Sequence, residues 1–173
     1  EFDSEMLPAA VEALGHIALC ASATPALRHQ ITAHLLRVWE DVAAWKVVWR
    51  EQASEFTAAV VGPAEGRPVV PDHKLMMVET ESETEAFYLC GALNSSPCRL
   101  AIAAYAIQIQ MNTHILENVA IPAFSRGNKT HLRLAALSEK AHKAAARDDA
   151  GDVMRLDAEI DLLAAKLWGL EDE

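Results

Sequence analysis

The spacing of apolar residues changes character along the chain. Residues 9–23 form an apolar run with few charges, and Thr24-Pro25 breaks it, with Pro25 suited to the first turn of a second helix. Leu27, Ile31, Leu35, Val38 and Val42 then recur at threes and fours, one apolar stripe of an amphipathic helix. From residue 46 the period shortens. Lys46-Val47-Val48-Trp49-Arg50 and the stretch 56–61 are β-branched and aromatic, as strands prefer. Gly62-Pro63-Ala64-Glu65-Gly66 reads as a turn, and 67–79 as a third extended stretch whose Pro71 suits an edge strand or a bulge. These three segments predict a small antiparallel sheet.

Helical spacing returns at Ser82-Glu83-Thr84-Glu85, a capping box in which Ser82 caps and Glu85 reaches back. The helix it opens, 83–93, carries no charge after Glu85. A helix without a polar face is buried nearly all round. Pro97 opens a further apolar helix to about Tyr105, and Ile107-Gln108-Ile109-Gln110-Met111 alternates as a half-buried strand does. Asn112 or Thr113 can cap a short helix ending near Asn118, and Gly127-Asn128 is a loop. Leu134, Leu137 and Ala141, then Val153, Leu156, Ile160, Leu163 and Leu167, mark two closing helices. Asp148-Asp149-Ala150-Gly151-Asp152 links them tightly enough for an antiparallel hairpin. The expectation is an α+β fold: a small, mainly antiparallel sheet packed with helices, divided into a helical segment 1–44 and an α+β domain 45–173.

Hydrophobic residues at 51% and charged ones at 23% are ordinary for a globular chain. No run of 18 apolar residues and no basic-then-apolar leader occurs, so a soluble, unexported, cytoplasmic protein with no membrane partner is expected. The opening Glu1-Phe2 suggests a piece of a longer polypeptide. Cys20, Cys90 and Cys98 form no C-x-x-C and read as core residues. The net charge of −10 argues against a stand-alone nucleic-acid binder, yet charge is unevenly spread. Within 99–147, seven cations (Arg99, Arg126, Lys129, Arg133, Lys140, Lys143, Arg147) oppose Glu117 and Glu139, a local +5. Arg126, Lys129 and Arg133 meet no acid between Asn118 and Ser138, and a helix start there already favours phosphate.

Catalytic signatures are missing. His29 and His34 are spaced wrongly for one helix face, and 148–152 lacks the ligand order of a calcium loop. Asp72-His73-Lys74 behind Glu55 or Glu65 imitates the acidic-x-Lys pattern of magnesium nucleases, although Pro71 adjoins the Asp and His73 replaces an apolar residue. His73, His114, His131 and His142 have no nucleophile or carboxylate at usable spacing and read as surface or capping residues. Trp39, Trp45 and Trp49 read as core rather than base-stacking platforms.

The order E-A-x-Y-L-x-x-x-L-N-S, from Glu85 to Ser95, followed by L-E-N-x-x-I-P, from Leu116 to Pro122, resembles the C-terminal TaqI-like specificity domain of adenine-specific DNA methyltransferases. That domain also closes bacterial single-chain restriction–modification enzymes. The likeness spans roughly 45–170, taking in the Lys46–Arg50 strand, Val69-Val70-Pro71-Asp72 and a terminal helical pair ending Leu167-Trp168-Gly169-Leu170. It implies target recognition on double-stranded DNA, with a methyltransferase domain of the parent chain flipping the adenine. Neither the glycine-rich S-adenosylmethionine turn nor the base-holding Pro-Pro tetrapeptide occurs here, so that cofactor is implied only for the missing catalytic domain. Catalytic, cofactor and metal residues are therefore expected to be none, with Arg99, Arg126, Lys129 and Arg133 as DNA contacts. The alternatives are a protein-binding assembly module, for which the 153–167 stripe is suited, and a magnesium-dependent nuclease.

Overall fold

The computed structural model describes residues 24–26, 29–30, 45–64, 69, 71, 74–105, 111, 116 and 119–170. The chain divides into two compact units, Glu1–Ala44 with Gly62–Asp72, and Trp45–Val61 with His73–Glu173. In the first unit Pro25 and Ala26 are helical behind the non-helical Thr24. The expected helices at 9–23 and beyond Pro25, the fate of Cys20, His34 and Trp39, and the Asp72-His73 pair otherwise lie outside the described residues.

The second unit is α+β. Three antiparallel strands, β1 (Trp45–Arg50), β2 (Ala58–Val61) and β3 (Leu75–Thr80), lie in the order β2-β1-β3. Two cross-strand rows point the same way: Ala58, Trp49 and Met76 in one, Val60, Val47 and Val78 in the other. All six join the hydrophobic core. Lys46 and Val48, on the opposite face of β1, are buried as well, so the middle strand is covered on both sides and shows no polar alternation. Burial lowers the Lys46 pKa, against which Glu79, its register partner on β3, acts to raise it. Phe56 falls outside β2: its ring tilts onto Trp49 at 5.8 Å and anchors the turn that leads into the strand.

Helix α1 (Glu83–Asn94) joins the sheet to the other helices. The Ser82 hydroxyl accepts from the Glu85 N–H at 3.3 Å, as a cap should. The Glu85 carboxylate, however, accepts from the Glu81 N–H at 3.0 Å and not from Ser82, one residue earlier than a capping box prescribes. Leu93 is fully buried, whereas Leu89 is only partly so. Gly91 marks the closest approach to the next layer, since a Cβ there would lie 3.0 Å from the Ser138 Cβ.

The end of α1 is tied on two sides. Asn94 turns its amide to Ala58 and reproduces a strand pairing, accepting from the Ala58 N–H and donating to its C=O, both at 2.8 Å. The buried Ser95 hydroxyl donates to Ala92 O at 2.6 Å. Helix α2 (Ser96–Tyr105) then starts under a carboxylate from another element: the Ser96 N–H and hydroxyl donate to Asp161 at 2.7 and 2.6 Å.

Helices α3 (Lys129–Ala145) and α4 (Ala150–Leu167) form the closing hairpin. Asp149 caps α4 by accepting from the Asp152 N–H at 3.0 Å, so Gly151 and Asp152 belong to the helix and the link is shorter than its composition suggests. Gly169, with φ of 68°, ends α4, and the Leu170 N–H donates to Ala165 O at 3.0 Å, a Schellman closure. The alternating stretch 107–111 lies outside the described residues except Met111, which is not in a strand. Its carbonyl accepts from Trp49 Nε1 at 2.7 Å. Of the short helix expected over 112–118, only Leu116 is described, and it is helical.

Candidate functional site

Residues 119–128 adopt neither helix nor strand, yet three side chains hold them, two of them far away in sequence. The Tyr88 hydroxyl of α1 donates to Pro122 O at 2.8 Å. Trp168, at the end of α4, donates from Nε1 to Ala120 O at 2.8 Å. The Ser125 N–H donates to His131 Nδ1 of α3 at 3.1 Å. The Tyr88 and His131 rings lie 4.5 Å apart and Phe124 packs on Tyr88 at 5.5 Å, so the loop folds over an aromatic cluster.

These holders are uncharged at neutral pH. Burial pushes the Tyr88 phenol up to about 12 and lowers the His131 pKa, while acceptance at Nδ1 requires an unprotonated nitrogen there. His131 is therefore a buried clasp, not the surface or capping residue its sequence context suggested.

Around this neutral clasp the surface is cationic. Asn128 caps α3, its Oδ1 accepting from the Thr130 and His131 N–H groups at 2.9 and 3.4 Å. Arg126 lies in the loop, and Lys129 and Arg133 lie one turn apart on α3, all exposed. The first turn of α3 contains no acid, and none of these three cations is in an ion pair among the described residues. Arg99 is placed elsewhere. It projects from α2 beside Asp157 of α4, whose carboxyl pKa burial raises and Arg99 draws back down.

Other candidate chemistry is quiet. Burial pushes the Cys90 and Cys98 thiols up to about 11 and 12, which keeps both protonated and weakly nucleophilic. Trp49 is a core residue and Trp45 is partly buried. His142 packs edge-on against Phe87 at 5.7 Å, and burial lowers its pKa. A cleft of 360 Å³ between β2, α1 and the hairpin is lined by Cys90, Asn94, Ser138 and His142. The Asn94 amide and Cys90 thiol there are already bonded to Ala58. Among the described residues no three His, Cys, Asp or Glu side chains could share a metal ion, and Asp72, His73 and His114 lie outside them. Likewise, no described helix is long and apolar enough to cross a membrane.

Sequence reasoning located Arg126, Lys129 and Arg133 but missed Tyr88, His131 and Trp168, which hold their loop. No local signal marks that role for Tyr88 and Trp168, whose contacts span 34 and 48 residues. No protein family, curated protein or solved structure matches the chain.

Proposed function

We propose that the chain is a DNA target-recognition fragment, non-catalytic by itself, that seats duplex DNA for an adenine methyltransferase domain carried elsewhere in its parent protein. The observation that carries the DNA reading is the pinned loop and helix start bearing Arg126, Lys129 and Arg133 with no opposing acid. A loop held by neutral hydrogen bonds keeps its cations at fixed positions, so less ordering is required on contact with phosphate. The α3 N-terminus adds unpaired N–H groups and the positive end of its dipole. The methyltransferase assignment rests on the motif likeness between Glu85 and Pro122.

Anisotropy titrations of the full chain on mixed-sequence duplex, at several salt concentrations, test the reading. Replacing Arg126, Lys129 and Arg133 with Ala should weaken binding to every duplex and flatten the log-affinity versus log-salt slope by roughly 0.9 per phosphate contact, about 2–3 units in all. An unchanged slope removes this segment from the interface. Catalysis and S-adenosylmethionine binding belong to the separate domain, so calorimetry showing the cofactor saturating this chain would overturn that part.

A further inference from the structure

The basic residues of 129–147 are not distributed around α3. On a helix with 3.6 residues per turn, Arg133, Lys140 and Lys143 are offset from Lys129 by 4, 11 and 14 residues and return to within about 40° of one line, and Arg147 stands in the turn just beyond the helix. All five are exposed, as is Ala136, the one residue that interrupts the row. Arg147 follows the last turn of α3 and extends the row. The opposite side of the helix holds the buried His131, Leu134 and Ser138, while the buried Leu137 and Ala144 lie on the row's flank, about 60–80° from it. The stripe thus faces solvent, with one flank bordering the core.

The row contains no acid. Glu139 flanks it and pairs with Lys143, and Asp148 and Asp149 follow Arg147, so the field is strongest over Lys129, Arg133 and Lys140. At 1.5 Å per residue the row spans about 27 Å, the length of roughly eight base pairs at 3.4 Å each. A linear, evenly charged polyanion complements a row of this length.

We infer that duplex DNA lies lengthwise along α3, its phosphates following the row from Arg126 to Arg147, and does not merely meet the helix at its N-terminal end. This rests on the DNA reading above and enlarges it, adding Lys140, Lys143 and Arg147 to the interface. The two arrangements differ physically. In an end-on approach the last three cations stand about 16–27 Å from the helix start. That lies beyond the screening length of about 10 Å at 0.1 M salt, where they contribute almost nothing.

The experiment compares three full-length proteins on one mixed-sequence duplex of about 20 base pairs: the unaltered chain, the Arg126→Ala, Lys129→Ala, Arg133→Ala triple, and the Lys140→Ala, Lys143→Ala, Arg147→Ala triple. Lengthwise docking requires the second triple to flatten the salt slope by about 2–3 units, much as the first does. A loss confined to the first triple overturns lengthwise docking and leaves the proposed function standing. A slope unmoved by either triple overturns both. The replaced side chains are exposed and Ala favours helix, so the melting midpoint should hold. If it falls, Gln at the same three positions gives the same readout. A Lys140→Arg, Lys143→Arg, Arg147→Lys protein, which keeps every charge, should retain the original slope; its loss would trace the effect to packing and overturn the inference.

Discussion

Helices α3 and α4 run 17 and 18 residues and bury comparable rows, Leu134, Leu137 and Ala144 on one, Leu156, Ile160 and Leu163 on the other. Outward they part company. On α3 the solvent face is a single-sign row of cations. On α4 the charges are mixed and satisfy one another, Arg155 bridging Asp152 and Glu159, beside the exposed apolar Met154, Ala158 and Leu162. Exposed i,i+3 and i,i+4 pairs cancel locally and project little field. A row in which Lys143 is paired, to Glu139, and Lys129, Arg133 and Lys140 are in no ion pair among the described residues sums over most of its length. The lesson concerns net charge. A total of −10 describes the chain, but a partner meets one face at a time, and the acids Asp152, Asp157, Glu159 and Asp161 belong to the other helix.

The largest expected effect tests whether the two inner faces are equivalent. Leu134→Ala and Leu156→Ala each remove a side chain no more than 2% exposed and should each cost on the order of 2–5 kcal/mol in denaturant melts. Leu162→Ala, on the outer face, should stay within about 0.5 kcal/mol. If Leu162 proved as costly as Leu156, the outer face of α4 would be packed and the contrast would weaken.

Next is the charge contrast. Removing the α3 cations should flatten the salt dependence of DNA binding, whereas Arg155→Ala should leave it unchanged, because that guanidinium is already engaged by two carboxylates. A flattened slope for Arg155→Ala would show that α4 also faces DNA.

The two helices should also respond oppositely to acid. His131 and His142 on α3 have pKa values lowered by burial below the ordinary 6.5, so the unfolded chain binds protons more readily than the folded one. Their contribution is complete above about pH 6.5 and is lost as pH falls through the folded values. Melting midpoints should therefore drop from pH 7.5 to 5.5, and the His131→Gln, His142→Gln double variant should flatten that drop. On α4, burial raises the Asp157 pKa above 3.8, so its charged form weakens the fold once pH exceeds the carboxylate range. Asp157→Asn should raise the midpoint slightly at pH 7 and leave it unaltered near pH 3. A lower midpoint at pH 7 would mean that its attraction to Arg99 outweighs the burial.

What could be read beforehand was local. Ser82 and the uncharged run after Glu85 marked α1, β-branched clusters marked β1 and β2, and the apolar stripes marked α3 and α4. What escaped reading depended on distance. Tyr88 and Trp168 reach carbonyls 34 and 48 residues away, for which no local spacing exists. His131 gave no sign of burial, because only Tyr88 and Phe124 from other segments enclose it. The cations of 99–147 were counted by segment, which groups Arg99 with Arg126. Helix geometry regroups them by face and sends Arg99 to Asp157.

Asn94 has a consequence for how this protein behaves in crowded solution. β2 is four residues long and ends the sheet on the side away from β3, and a bare strand margin is a template on which another chain can grow. The Asn94 amide already fills that margin at Ala58, in the manner of a neighbouring strand. An Asn94→Ala protein would leave the Ala58 N–H unpaired and its C=O held by the Cys90 thiol alone, and its expected fault is self-association: thioflavin-positive, sedimenting material at concentrations where the unaltered chain stays dispersed.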